Sequence, residues 1–205
     1  MEHKPIAILI LPVFVIGILM LGTMAVTVNA QESSNPETTV GEASGADQQT
    51  ILNMHNSERA AVGTPDLVWS NNLAADAKTW LDTLIAENGG NLESGGLRHD
   101  PVNTGLSCTL GAACQGENLA WASRASTPNP PVAPSVAQLV QGWVNEPKDP
   151  HASNHYTQMV WKDTKEVGCA TATLKGMTSD GWHAAGSYLV CRYSPPGNTQ
   201  GVPAY

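Results

Sequence analysis

Basic residues are scarce in this chain. Only 10 Lys and Arg stand against 18 Asp and Glu, giving a formal charge of −8 over 205 residues. Those 10 are scattered. A nucleic-acid binder needs a basic face to meet phosphates, and recruitment to anionic lipid needs a basic cluster. Neither is present, so both classes are set aside. Also missing are the phosphate loop, the dinucleotide fingerprint and the Gly-x-Ser-x-Gly nucleophile elbow. None of the four cysteines forms a Cys-x-x-Cys pair, so zinc-site spacing is lacking. His151 and His155 stand four apart, but Ala152 occupies the position where the zinc-peptidase helix motif requires Glu, and Pro150 precedes the first His. No internal repeat is found.

One long apolar run is present, Ile6 to Val28. Lys4 precedes it, and Val28-Asn29-Ala30 offers a small residue for cleavage before Gln31. Residues 1–30 therefore read as an export signal. The competing reading is an uncleaved N-terminal anchor, because the run is nearly long enough to span a bilayer. Both place the remainder outside the cytoplasm, where an even number of cysteines reads as two disulfides. Cys108 and Cys114 would close a small loop. Cys169 and Cys191 have a geometric argument. Residues 167–174 and 187–193 read as strands around a turn holding Asp180-Gly181. An antiparallel hairpin centred near residue 180 sets the two cysteines opposite each other.

Residues 31–46 are polar, small and acidic and read as a disordered spacer. The domain then spans 47–205. Asp47 is expected to cap a helix running to Val62 and stopped by Gly63. Ser70 caps a second, with Leu73, Ala77, Trp80, Leu81 and Leu84 on one stripe, ended by Asn88-Gly89-Gly90. A Gly-rich stretch carries His99. Glu117–Ala122 is expected as a short helical turn, and 127–134 as a Pro-rich surface loop. Ser135 caps a helix through Glu146, and Pro147 discourages continuation. Helices precede most strands without βαβ alternation. That predicts an α+β fold, a three-layer αβα sandwich with a mainly antiparallel central sheet.

Four residues are the candidates for chemistry: His99, Glu117, Glu146 and His155. On the Ser135 helix, Glu146 projects within about 20° of the apolar Leu139. A carboxylate on an inward stripe needs a partner or a metal; the plainer reading is a frayed last turn reaching water. Glu117 reads most plainly as an acid favouring the start of a helix. His155, among Tyr156, Met159, Val160 and Trp161, reads most plainly as a hydrogen-bonded core histidine. His99, before Asp100-Pro101, taken alone is a surface histidine in a turn. Taken together, two imidazoles and two carboxylates can hold one divalent cation or share protons in a polar cleft.

Five segments in order complete the picture: Leu52-Asn53-Met54-His55-Asn56-Ser57-Glu58-Arg59 with Val68-Trp69; Gly116-Glu117-Asn118-Leu119; Trp143-Val144-Asn145-Glu146; His155 to Trp161 with Val167-Gly168-Cys169-Ala170; and Val190-Cys191-Arg192-Tyr193-Ser194-Pro195-Pro196-Gly197-Asn198. Over about 47–198 the chain resembles the CAP superfamily, the SCP-domain proteins that include cysteine-rich secretory, venom antigen-five and plant pathogenesis-related group-one proteins. The resemblance implies a sandwich with a large surface cleft where His99, Glu117, Glu146 and His155 converge. It implies that His99 and His155 bind zinc or another divalent cation while the glutamates balance its charge.

Two departures stand out. Asp100 occupies a position where the family usually has Ser, so no serine nucleophile is implied there. The Cys108–Cys114 loop is not a usual disulfide position. The expected function is a secreted, non-enzymatic module binding a divalent metal and a lipid or sterol, or a peptide. The alternative is a metal-assisted peptidase with Glu117 or Glu146 as general base. A third reading is a structural interaction domain of the cell envelope.

Overall fold

Five β-strands and four helices are formed among the described residues. The computed structural model describes residues 37–88, 91, 96–102, 104 and 114–205. The expected export segment, the first part of the spacer (31–36) and Cys108 lie outside the described residues. The chain runs β1 (Glu37–Glu42), α1 (Gly45–Val62), β2 (Val68–Trp69), α2 (Asn71–Asn88), β3 (Gly116–Ser126), α3 (Val136–Val144), α4 (His155–Met159), β4 (Glu166–Met177) and β5 (His183–Ser194). The strands form one sheet of order β1-β4-β5-β3, antiparallel throughout, with the two-residue β2 added in parallel on β4.

The helices start where side chains can satisfy orphan backbone donors. Ser44 rather than Asp47 caps α1: its Oγ accepts from the Asp47 N–H at 3.3 Å. Gly63, at φ 81°, closes that helix in the left-handed conformation. Capping boxes open α3 (Ser135 with Gln138) and α4 (Asn154 with Thr157). No helix among the described residues is long and apolar enough to cross a membrane.

Alternation along the strands gives the sheet two apolar faces. Val167, Cys169, Leu189, Cys191 and Tyr193 pack with Ile51 of α1, Leu139, Val140 and Trp143 of α3, and Tyr156 and Met159 of α4. Ala170, Ala172, Leu174, Tyr188 and Val190 meet Ala77, Trp80, Leu81 and Leu84 of α2. The result is the predicted αβα sandwich. The α2 helix approaches so closely at Gly168 that a Cβ there would lie 2.3 Å from Ala74 N and Ser70 O. Fully buried Arg59 ties α1 to two loops. Its guanidinium donates to the carbonyls of Pro65, Met159, Trp161 and Thr164. Burial lowers its pKa to about 10, which leaves it cationic at neutral pH.

The predicted hairpin is present and longer than expected. Cys169 pairs with Cys191 in register and is disulfide-bonded to it, and Gly181 turns the chain at φ 86°. Cys114 is also disulfide-bonded.

Three further local expectations are corrected. The second part of the spacer is not disordered: Glu37–Glu42 pairs with β4 along its whole length. Thr38, Thr39 and Val40 are good strand formers, and a polar, acidic stretch suits an edge strand half open to water. Glu117–Ala122 is not a helical turn but the start of β3, paired with β5 from Gly116↔Tyr193 to Ser126↔His183. That ladder satisfies the backbone, and tertiary pairing overrides the local helical reading. Finally, α3 ends at Val144 with Asn145 as its C-cap. Glu146 therefore lies past the helix, and its position does not derive from the helical stripe.

Candidate functional site

The site is organised by two consecutive residues at the start of β3. In a strand, neighbours point to opposite faces. Glu117 sits across from Arg192, on the α2 face, and Asn118 sits across from Cys191, on the face covered by α1, α3 and α4. Each reaches one of the predicted histidines.

On the α2 side, Glu117 Oε1 accepts from His99 Nδ1 at 2.7 Å and from the Asp100 N–H at 3.1 Å. Glu117 Oε2 lies 3.0 Å from Arg192 Nη2, which also donates to Asp100 Oδ2 at 2.8 Å. The carboxylate is enclosed while the imidazole reaches outward: the side chains are 1% and 61% exposed. The approach to His99 is braced as well. Trp80 Nε1 donates to Arg98 O at 3.1 Å, and the Arg98 guanidinium lies 4.5 Å from the Trp80 ring centre and pairs with Glu87.

On the other side, Glu146 Oε1 accepts from His155 Nδ1 at 2.5 Å. Its Oε2 accepts from the His155 and Tyr156 N–H groups at 2.8 and 3.4 Å. The His155 ring stacks on Trp143, with centroids 5.8 Å apart and planes 17° from parallel. Asn118 Nδ2 donates to His155 O at 3.0 Å and to Tyr193 Oη at 3.2 Å. Tyr193 in turn bonds His55 Nε2 at 2.8 Å, while His55 Nδ1 meets Ile51 O at 2.8 Å. A carbonyl can only accept, so Nδ1 carries the His55 proton and Nε2 accepts from the tyrosine hydroxyl. Burial pushes the His55 pKa down to about 4 and holds the Tyr193 phenol well above its usual range.

Each candidate histidine thus spends Nδ1 on one candidate glutamate. Neither Nε2 has a hydrogen-bond partner among the described residues. This is the carboxylate–histidine arrangement that orients an imidazole toward a metal. Beside the first pair lies a cleft of about 830 Å³ whose walls include His99, Glu117, Gln115, Ser153, Gln158 and Asn198; His155 and Glu146 lie outside those walls. Among the described residues no three His, Cys, Asp or Glu side chains are grouped so as to hold a metal ion. The contacts formed are two pairs, His99 with Glu117 and His155 with Glu146, and no hydrogen bond joins one pair to the other among the described residues.

Reading the sequence by periodicity missed Asp100 and Arg192 as partners of Glu117, and Asn118, Tyr193 and His55 as supports of His155. One signal was available for Arg192. A charge inside the apolar run Tyr188-Leu189-Val190-Cys191-Arg192-Tyr193 needs a buried counter-charge.

An antiparallel sheet carrying a disulfide, helices on both of its faces and two His–Glu pairs define an αβα sandwich domain. Residues 52–193 match the family model described as CAP, cysteine-rich secretory protein family, and the chain belongs to that family. Among its relatives are pathogenesis-related protein 1C of Nicotiana tabacum (32% identical, covering 77% of this chain and 80% of that protein) and venom allergen 5 of Brachyponera chinensis (30%, 78% and 84%). Another is peptidase inhibitor 15-A of Danio rerio (33%, 78% and 61%). Among solved structures, the crystal structure of MpPR-1i is 20% identical with a TM-score of 0.47, covering 75% of this chain and 90% of that one.

Proposed function

We propose that this CAP domain is an exported binding module that holds one divalent cation between His99 and His155. The observation that carries the reading is the use of both Nδ1 atoms by carboxylates, which leaves both Nε2 atoms available. Glu117 and Glu146 then act as outer partners that fix the rings. With Asp100 and Arg192 cancelling each other, the two glutamates leave a charge of −2, matched to a dication. Two imidazole ligands suit zinc, with water completing its coordination. Such an ion would supply a Lewis-acidic centre and a point of attachment for a polar ligand.

Binding is favoured over peptidase chemistry because the carboxylates are engaged. Glu117 faces donors or a cation at both oxygens, and so does Glu146. A general base needs an oxygen within reach of a water proton. The cleft walls include Gln115, Gln158, Asn198, Thr104 and Ser153, side chains able to hydrogen-bond a polar ligand such as a peptide; a lipid or sterol is the alternative occupant. Export is supported by the family's secretory description, by a relative named "Secreted protein RBT4" from Candida albicans, and by the disulfides. Calorimetric zinc titration of wild type and His155→Ala tests the reading. One ion per chain in the wild type and at least tenfold weaker binding in the variant are expected. Equal binding by both proteins, or by neither, rejects it.

A further inference from the structure

We propose that Arg192 and Asp100 are positioning residues that lock Glu117, and through it His99, into the cation-ready orientation. The inference rests on the cation-binding reading above and adds the machinery behind one half of it.

The chain buries two arginines, and their surroundings differ. Arg59 spends its donors on backbone carbonyls of loops it holds together. Arg192, only 1% exposed, makes no such bonds. Its Nη2 meets Asp100 Oδ2 and Glu117 Oε2, while its Nε and Nη1 have no hydrogen-bond partner among the described residues. A buried guanidinium with two unsatisfied N–H groups is costly. Its entire return is the pairing with those two carboxylates, which is what a positioning role requires. Glu117 Oε2 is buried and makes no hydrogen bond among the described residues, so the Arg192 charge 3.0 Å away is what compensates it; without Arg192 the carboxylate would have to turn away or lose its charge.

Asp100 completes the lock at the other end. Its N–H donates to the same Glu117 oxygen that receives His99 Nδ1. Its Oδ1 accepts from the Val102 N–H at 2.8 Å, and its carbonyl accepts from Thr104 Oγ1 at 2.5 Å. The turn carrying His99 is therefore tied to the carboxylate by its backbone and to Arg192 by its side chain. Among the described residues Glu146 has no comparable bridge: its partners are the His155 ring and the His155 and Tyr156 N–H groups. The two histidines are thus held by different means, and His155 is an internal control.

The test uses the full-length protein with ¹⁵N-labelled histidine. Imidazole spectra are recorded without metal, and zinc affinity is measured in parallel, for wild type, Arg192→Gln and Asp100→Asn. In the wild type, His99 is expected as the Nδ1–H tautomer. In each variant its signals are expected to move toward the Nε2–H form while those of His155 stay in place. Zinc Kd should rise about 10–100-fold, the usual effect of removing an outer partner. The double variant should lose little more than either single one, because all act on one carboxylate. Unchanged His99 signals in a folded Arg192→Gln protein would overturn the proposal. Should that variant not fold, Asp100→Asn decides the matter by the same criterion. If the wild type binds no zinc, the cation reading fails, and the metal-free spectra still decide the positioning role.

Discussion

Protonation of His55 should destabilise the protein in mild acid and do so through the site. The ring is fully buried, with Nδ1 on Ile51 O and Nε2 accepting from Tyr193. Burial lowers its pKa from 6.5 to about 4, with the Arg59 charge a lesser contributor in the same direction. The unfolded chain therefore takes up a proton that the folded protein refuses. Stability from this source is complete above the unfolded value of 6.5 and falls as pH drops from 6.5 toward 4. At about 1.4 kcal/mol per pH unit, the full interval corresponds to roughly 3 kcal/mol. The loss would not be confined to the core. A protonated Nε2 can no longer accept from Tyr193, whose oxygen also receives Asn118, the residue that holds the His155 carbonyl. The assay is urea unfolding of wild type and His55→Gln at several pH values between 7.5 and 4. Carboxylates titrate in both proteins, so the difference between the two curves isolates His55. The wild type should lose up to about 1.4 kcal/mol more per pH unit across the interval. Parallel curves would refute the reasoning.

Two further perturbations test the frame. Replacing Cys169 and Cys191 together by Ala opens a loop with a sequence separation of 22 and should lower stability by about 3 kcal/mol, read as a shift in denaturation midpoint. Gly168→Ala forces a methyl against Ala74 N and Ser70 O. Its cost should be about 2 kcal/mol or more in thermal or urea unfolding, because neither backbone atom can move without shifting α2.

Much of this fold was legible because several signals agreed. The stripe of Leu73, Ala77, Trp80, Leu81 and Leu84 gave α2, and the symmetry of Cys169 and Cys191 about residue 180 gave the hairpin register. Where local pattern and long-range pairing disagreed, pairing won. Gly116-Glu117-Asn118-Leu119 looked like a helix start, but its backbone partners lie on β5, more than 70 residues away. Glu37–Glu42 looked like a linker because an edge strand needs few apolar residues. For the candidate site, the sequence pointed to four side chains but not to the pairings they make, His99 with Glu117 and His155 with Glu146. Glu146 reaches His155 from beyond the helix end, and Glu117 from a strand. The partners Asp100 and Arg192 are 92 positions apart, a pairing that no local rule reveals.

The central claim is that His99 and His155 present Nε2 to one shared cation. A crystal structure of the protein grown with zinc tests it most directly. The account predicts a single ion about 2.0–2.1 Å from both Nε2 atoms, with Glu117 and Glu146 still bonded to Nδ1. Zinc on one histidine alone, or on a glutamate turned away from its ring, would contradict it.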